Sequence, residues 1–382
     1  EIVRLSKERQ KPAGSAPLCA HAQLDAAYSD GVYNTLAAHE DVWGNELLRS
    51  PDGPTYAGVR HFLHPLMLVG KPAGLRPNRL TDSGVYYIPF GVPAGPQGAA
   101  VVQLHVADGS QIVTHKASGT RLSLDVGASG RERYGSCLGR LAQPHLRGGY
   151  LPILETSYVD ANGVRYRQES FATRLPGTHA LASFIKLRID PRRSEVRRAY
   201  ARFTPSGGLR RRNEERLLFS LGGRFHQSSL VYSTRGKQVR TVYVAWLDRP
   251  VRRVPLRLDR AVYRGLRHAV SAYWAHRVAA GATFNVPERR VMNAERNLLI
   301  QNMLMSWRYS LGNSYERFSW ELPDVAEVMG DYGYRRIERA VLGAAMHAHS
   351  DFPNRAAGER MATVAHYYRR FLDRRYVNRV SQ

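Results

Sequence analysis

The chain has 382 residues, 43% of them hydrophobic and 23% charged, which supplies enough apolar matter for a packed core and argues against global disorder. The formal net charge is +24, carried by 50 Arg and only 6 Lys. The longest apolar runs fall far short of a membrane span and no secretory h-region is visible; two cysteines, Cys19 and Cys137, without a Cys-x-x-Cys pair exclude a zinc ribbon or a thioredoxin-type site.

The charge has two readings. Arg is scattered from Arg4 to Arg379, with only short clusters such as "RRR" at 210–212, whereas a nucleic-acid module concentrates charge on one element. The scatter reads as codon bias in a GC-rich genome, and no nucleic-acid partner is expected. Attraction to a polyanion is the competing reading. The first residue is Glu1, so the numbering begins after a processed or trimmed start, which is compatible with a secreted or periplasmic chain whose signal has been removed.

From about residue 20 to 255 the chain has strand texture: short runs rich in Val, Ile, Tyr, Thr and Phe, punctuated by Gly, Pro and Asp. Strands are predicted within 81–91, 99–109, 121–127, 183–190 and 240–248. The clearest hairpin is "YLPILETSYVDANGVRYRQESFAT" (150–173), with Asn162-Gly163 at its tip, a pair that suits a tight turn needing positive φ. In 183–190, Ile185, Leu187 and Ile189 fall on one face and Lys186 and Arg188 on the other. Many closely spaced strands without intervening long helices predict an antiparallel sandwich.

After about 256 the period changes. Helices are predicted over 257–281, closed by Gly281, then 284–309 with Pro287 at its start, 324–333, 334–350 and 356–376. Val291, Ala294, Leu298 and Met305 mark the apolar face of the second of these. The tail "DRRYVNRVSQ" ends without a domain-closing pattern and reads as cut from a longer helical region.

Strands, then "YWAHRVAAGATFNVPERRV" (273–291), then helical hairpins follow one another in a characteristic order. Trp274, the turn Phe284-Asn285-Val286-Pro287-Glu288 and the apolar helix after it resemble the toroid start of the six-hairpin glycosidases. The hairpin at 150–173 is similar to the sandwich of that superfamily. The resemblance implies an N-terminal β-sandwich over 1–255, a linker helix over 256–286 and the start of an (α/α)6 toroid over 287–382. A full toroid has twelve helices and about four fit between 288 and 376, so the toroid is expected to be partial. The implied activity is glycoside hydrolysis on an oligo- or polysaccharide, by an inverting route, with no cofactor. A non-catalytic carbohydrate-binding or assembly role is the alternative.

Inverting hydrolysis needs one carboxylic acid at the leaving oxygen and one carboxylate that activates water, roughly 6.5–9.5 Å apart, plus aromatic platforms for the apolar faces of sugar rings. The stretch "GNSYERFSWELPD" (312–324) mixes three aromatics with three carboxylates in a connection between helices. Alternation of outer and inner helices makes 309–322 a pocket loop and 347–358 the next one. Glu321 and Asp324 are then the candidate catalytic carboxylates. Tyr315, Glu316, Trp320, His349, Asp351 and Arg355 are candidate substrate contacts. Each has a structural alternative. Asp324 follows Pro323 and serves equally as a helix cap, Trp320 and Phe318 as packing, Glu316 and Glu321 as partners of Arg317 or Arg308. His61 and His64 are three residues apart with no third ligand, so no metal is expected. HExxH, Gly-x-Ser-x-Gly and Walker-type patterns are absent from the sequence.

Overall fold

The structure, a computed structural model, describes residues 87–93, 101–114, 120–137, 140–142, 144–208, 215–252, 256–283, 285–304, 321–347 and 353–380. Fourteen strands precede six helices among these residues. The strands are β1 (Tyr87–Val92), β2 (Val101–Val106), β3 (Gln111–Val113), β4 (Arg121–Gly127), β5 (Glu132–Arg133), β6 (His145–Leu146) and β7 (Ile153–Val159). They continue with β8 (Arg165–Arg174), β9 (Leu181–Asp190), β10 (Tyr200–Pro205), β11 (Leu217–Phe219), β12 (Arg224–His226), β13 (Ser229–Ser233) and β14 (Arg240–Leu247). The helices are α1 (Arg260–Ala279), α2 (Arg289–Met303), α3 (Glu321–Asp331), α4 (Arg335–His347), α5 (Pro353–Phe371) and α6 (Arg374–Val380). The expected order, antiparallel strands first and helices after them, is what the chain adopts.

The strands form two antiparallel sheets. One runs β1-β2-β3-β4-β10-β13-β12 with β5 paired to β4; the other runs β11-β14-β9-β8-β7-β6. The period of two decides what each strand of the second sheet touches. Ile185, Leu187 and Ile189 of β9 and Val242, Val244 and Trp246 of β14 pack with Leu124, Phe203 and Tyr232 of the first sheet. The intervening residues, Phe184 of β9 and Tyr243, Ala245 and Leu247 of β14, point the other way, into a cluster with Tyr263, Val270 and Trp274 of α1. The second sheet is therefore a middle layer, apolar on both faces along part of its length.

A polar seam also joins the sheets. Gln103 of β2 donates to the carbonyls of Leu181 (3.1 Å) and Trp246 (3.3 Å). Ser183 donates to Gln103, so the His105 Nε2–H donates to Ser183 (2.8 Å) and His105 Nδ1 accepts from Ser170 (3.0 Å). Burial pushes the imidazole pKa down to about 3, which keeps the ring neutral between its two hydroxyls.

The β7–β8 hairpin forms as expected, with one difference. Only Gly163 takes positive φ (79°); Asn162 does not. The Asp160 carboxylate accepts from the backbone N–H groups of Asn162 (2.8 Å) and Val164 (2.9 Å), so a three-residue loop replaces the two-residue turn. Cys137 is buried and disulfide-bonded; Cys19, the chain's one other cysteine, lies outside the described residues.

The helices follow the predicted periods with shifted ends. Asp259 caps α1 by accepting from Val262 N–H (2.9 Å). Pro287 stands two residues ahead of α2 rather than at its first position. The buried side of α2 is Leu299, Ile300 and Met303, whereas Val291 and Leu298 are 47% and 60% exposed. This helix carries two apolar stripes, and the expected one faces outward; Met305 lies outside the described residues. On α3, Leu322, Val325, Ala326 and Met329 recur at helical spacing and meet Ile337, Val341, Leu342 and Ala345 of α4. Asp373 caps α6 by accepting from Tyr376 N–H (3.1 Å), and Tyr376 packs on Tyr367. No helix of the described residues is long and apolar enough to cross a membrane.

Candidate functional site

Helix α3 begins at Glu321, so the last four residues of "GNSYERFSWELPD" form its first turn. Pro323 is the third helical residue. Its missing N–H is one of those that have no intrahelical partner at a helix start, so proline costs no hydrogen bond there. Asp324 is consequently the fourth residue of α3 and not its N-cap, which corrects the capping alternative. Tyr315, Glu316, Phe318 and Trp320 lie outside the described residues, as do His349, Asp351, His61 and His64. Arg355 was expected in a loop at 347–358. It lies in the first turn of α5, because Pro353 occupies the first helical position, where its fixed φ favours helix.

Two of the candidate residues meet at the contact of α3 with α5. Asp324 and Glu327 are three apart and share one face of α3. Arg355 and Glu359 are four apart on α5, with Arg355 Nε 2.7 Å from Glu359 Oε1. One and two turns further along α5, Thr363 back-bonds to the Glu359 carbonyl (2.8 Å) and His366 Nδ1 donates to Glu327 Oε1 (2.7 Å). Three carboxylates, a guanidinium and an imidazole thus converge. Partial burial raises the Asp324 pKa, Glu359 and Glu327 raise it further, and Arg355 offsets part of the effect. A raised carboxyl pKa is the direction of shift that an acid catalyst needs.

Sequence reasoning missed Glu327, Glu359 and His366. Glu327 is i,i+3 from Asp324 and Glu359 is i,i+4 from Arg355, the latter visible only once α5 is started at 353 rather than 356, whereas His366 reaches Glu327 only through the packing of α5 on α3. Among the described residues, no group of three or more His, Cys, Asp or Glu side chains is placed to hold a metal ion. No protein-family model and no curated protein matches the chain.

Proposed function

We propose that the chain is a glycoside hydrolase-like protein that cleaves an oligo- or polysaccharide by carboxylate acid/base chemistry with inversion. In this reading the two sheets are a β-sandwich, α1 is the linker, and α2 onward begins an (α/α)6 toroid. The observation that carries it is the Asp324 carboxyl, whose pKa is raised by partial burial and by Glu359 and Glu327, a few residues after a stretch of sequence rich in aromatics. Asp324 is the acid that protonates the leaving oxygen. Glu321, one turn earlier on the same helix, is the other candidate acid, and the base that activates water lies across the pocket and is neither of these residues. Tyr315 and Trp320 stack on sugar faces, and Glu316, His349, Asp351 and Arg355 bind hydroxyl groups.

The test is hydrolysis of a glycan panel by the chain and its variants. Asp324→Asn lowers the rate by about 100-fold or more, the usual worth of a positioned proton donor. Glu321→Gln does the same. A variant that leaves hydrolysis intact removes that residue from the mechanism.

A further inference from the structure

The outer face of the second sheet, beside α1, forms a cleft of about 780 Å³. Its floor is set by register. Thr241, Arg188, Arg167 and Ser157 stand in one row across β14, β9, β8 and β7. Tyr243, Lys186, Glu169, Glu155 and His145 stand in the next row, across five strands. Arg260, Arg264 and Arg267 of α1, at helical spacing, form the wall. With Arg147 at the rim, seven permanent cations face two carboxylates.

The two rows are compensated differently. Glu155 and Glu169 lie directly opposite each other, an unfavourable pair for like charges. Arg147 Nη1 resolves it by bridging both, at 2.9 and 3.1 Å. Lys186 (3.3 Å) and Arg267 (3.3 Å) also hold Glu169, whose side chain is 7% exposed. Arg167 and Arg188 lie opposite each other in the same way, and no carboxylate among the described residues bridges them. Arg188 reaches Asp190 at 3.5 Å, and Arg167 has no ion pair among the described residues. Arg260 and Arg264 have none either. The floor therefore carries one cation, Arg167, without an ion pair among the described residues, beside an Arg188 held only at 3.5 Å by Asp190 and faced by Arg260 and Arg264, in a concavity of small-ligand size.

We propose that this cleft binds the acidic groups of a carboxylate- or sulfate-bearing oligosaccharide, and that it selects acidic over neutral glycans for the chain. The proposal rests on the glycan reading above and adds the class of glycan. Guanidinium forks match planar or tetrahedral oxyanions. Ser157, Thr241 and the partly exposed Glu155 supply the mixed donors and acceptors that sugar hydroxyls need. A single-stranded nucleic acid fits less well. The two phenol rings of the lining, Tyr243 and Tyr263, are 9% and 1% exposed and pack on each other, with Tyr263 also against Phe171, so neither offers a face for base stacking, and the exposed His145 ring is held edge-on by Glu155 at 3.1 Å, a single platform where a strand of bases needs a series.

The test is calorimetric binding of an oligogalacturonate hexamer, a maltohexaose and a thymidine oligonucleotide of matched charge at fixed salt. The expected result is uronate binding at least about tenfold tighter than either comparator. The double variant Arg167→Ala/Arg264→Ala, both exposed positions, weakens it at least about tenfold with an unchanged melting temperature. Arg224→Ala, in a separate arginine-lined groove beside β12 and β13, changes it less than about twofold. Asp324→Asn also changes it less than about twofold, so loss of hydrolysis and loss of acidic-glycan binding are read separately. Equal binding of all three probes, or equal weakening by Arg224→Ala, overturns the proposal in favour of diffuse charge attraction. Tighter binding of the oligonucleotide overturns it in favour of a nucleic acid.

Discussion

Arg267 of α1 and Glu169 of β8 form an ion pair at 3.3 Å, one turn along the helix from the point where Tyr263 donates its hydroxyl to the Glu169 carbonyl at 2.9 Å. The same residue thus anchors the first helix to the middle sheet through both its side chain and its backbone.

Glu169→Gln should therefore loosen this junction. Burial raises the Glu169 pKa, but Lys186, Arg267 and Arg147 outweigh it and leave the carboxyl below its ordinary value. A depressed carboxylate stabilises the fold above its unfolded pKa of about 4.5 and loses that contribution as pH falls through the folded value. The variant is expected to cost about 2 kcal/mol at pH 7, less than a fully buried pair because its cations are partly solvated. It should also lose part of the acid-side fall in stability. Urea unfolding at pH 7 and pH 3.5 measures both.

Gly281, two residues past the end of α1, is required for a steric reason and not a conformational one. Its φ is not in the left-handed region, but a Cβ there would collide with the ring of Tyr334, whose hydroxyl donates to the Val278 carbonyl at 2.8 Å. Gly281→Ala is expected to destabilise by about 1–3 kcal/mol, as overpacking does. Tyr334→Leu in the Gly281→Ala background should recover part of that loss, which thermal melts of the single and double variants will show.

His105 should stay neutral far below the ordinary histidine range. Its folded pKa of about 3 lies under the unfolded 6.5, so the unfolded chain binds the extra proton between those values. Stability from this residue is full above about pH 6.5 and declines as pH falls toward 3, by up to about 1.4 kcal/mol per unit. Imidazole nitrogen shifts in NMR should show one of the 14 histidines as the Nε2–H tautomer at pH 4.5 while exposed rings are protonated.

Asp324→Asn is expected to leave stability within about 0.5 kcal/mol of the parent, because Asp324 makes no capping hydrogen bond among the described residues and its neighbours Glu327 and Glu359 repel its charge. A drop of 1 kcal/mol or more, measured by urea unfolding, would return Asp324 to a capping role.

Strand positions were legible where one face was apolar and the next residue polar. The Lys186 and Arg188 alternation in β9 already marked the floor of the cleft, although the opposing Arg167 could be found only from register. The hairpin at 150–173 was legible from Gly163, but the Asp160 carboxylate that fixes its loop length was not, because side-chain bonding competes with turn type locally. Helix existence followed from period. Helix starts were misread at Pro287, Pro323 and Pro353, since proline is tolerated ahead of a helix, at its first position or within its first turn, and sequence alone does not choose. The buried face of α2 was misread because that helix is apolar on two sides. The acidic cluster at Asp324 depends on which faces of α3 and α5 meet, and packing between distant segments leaves no local trace.

The most direct test of glycan hydrolysis is proton NMR of product anomers as the chain acts on neutral and uronate-bearing oligosaccharides. The expected products are new reducing ends of inverted configuration, with the rate falling about 100-fold or more in Asp324→Asn while the fold persists. Product of retained configuration, or an undiminished rate in Asp324→Asn, would contradict that mechanism.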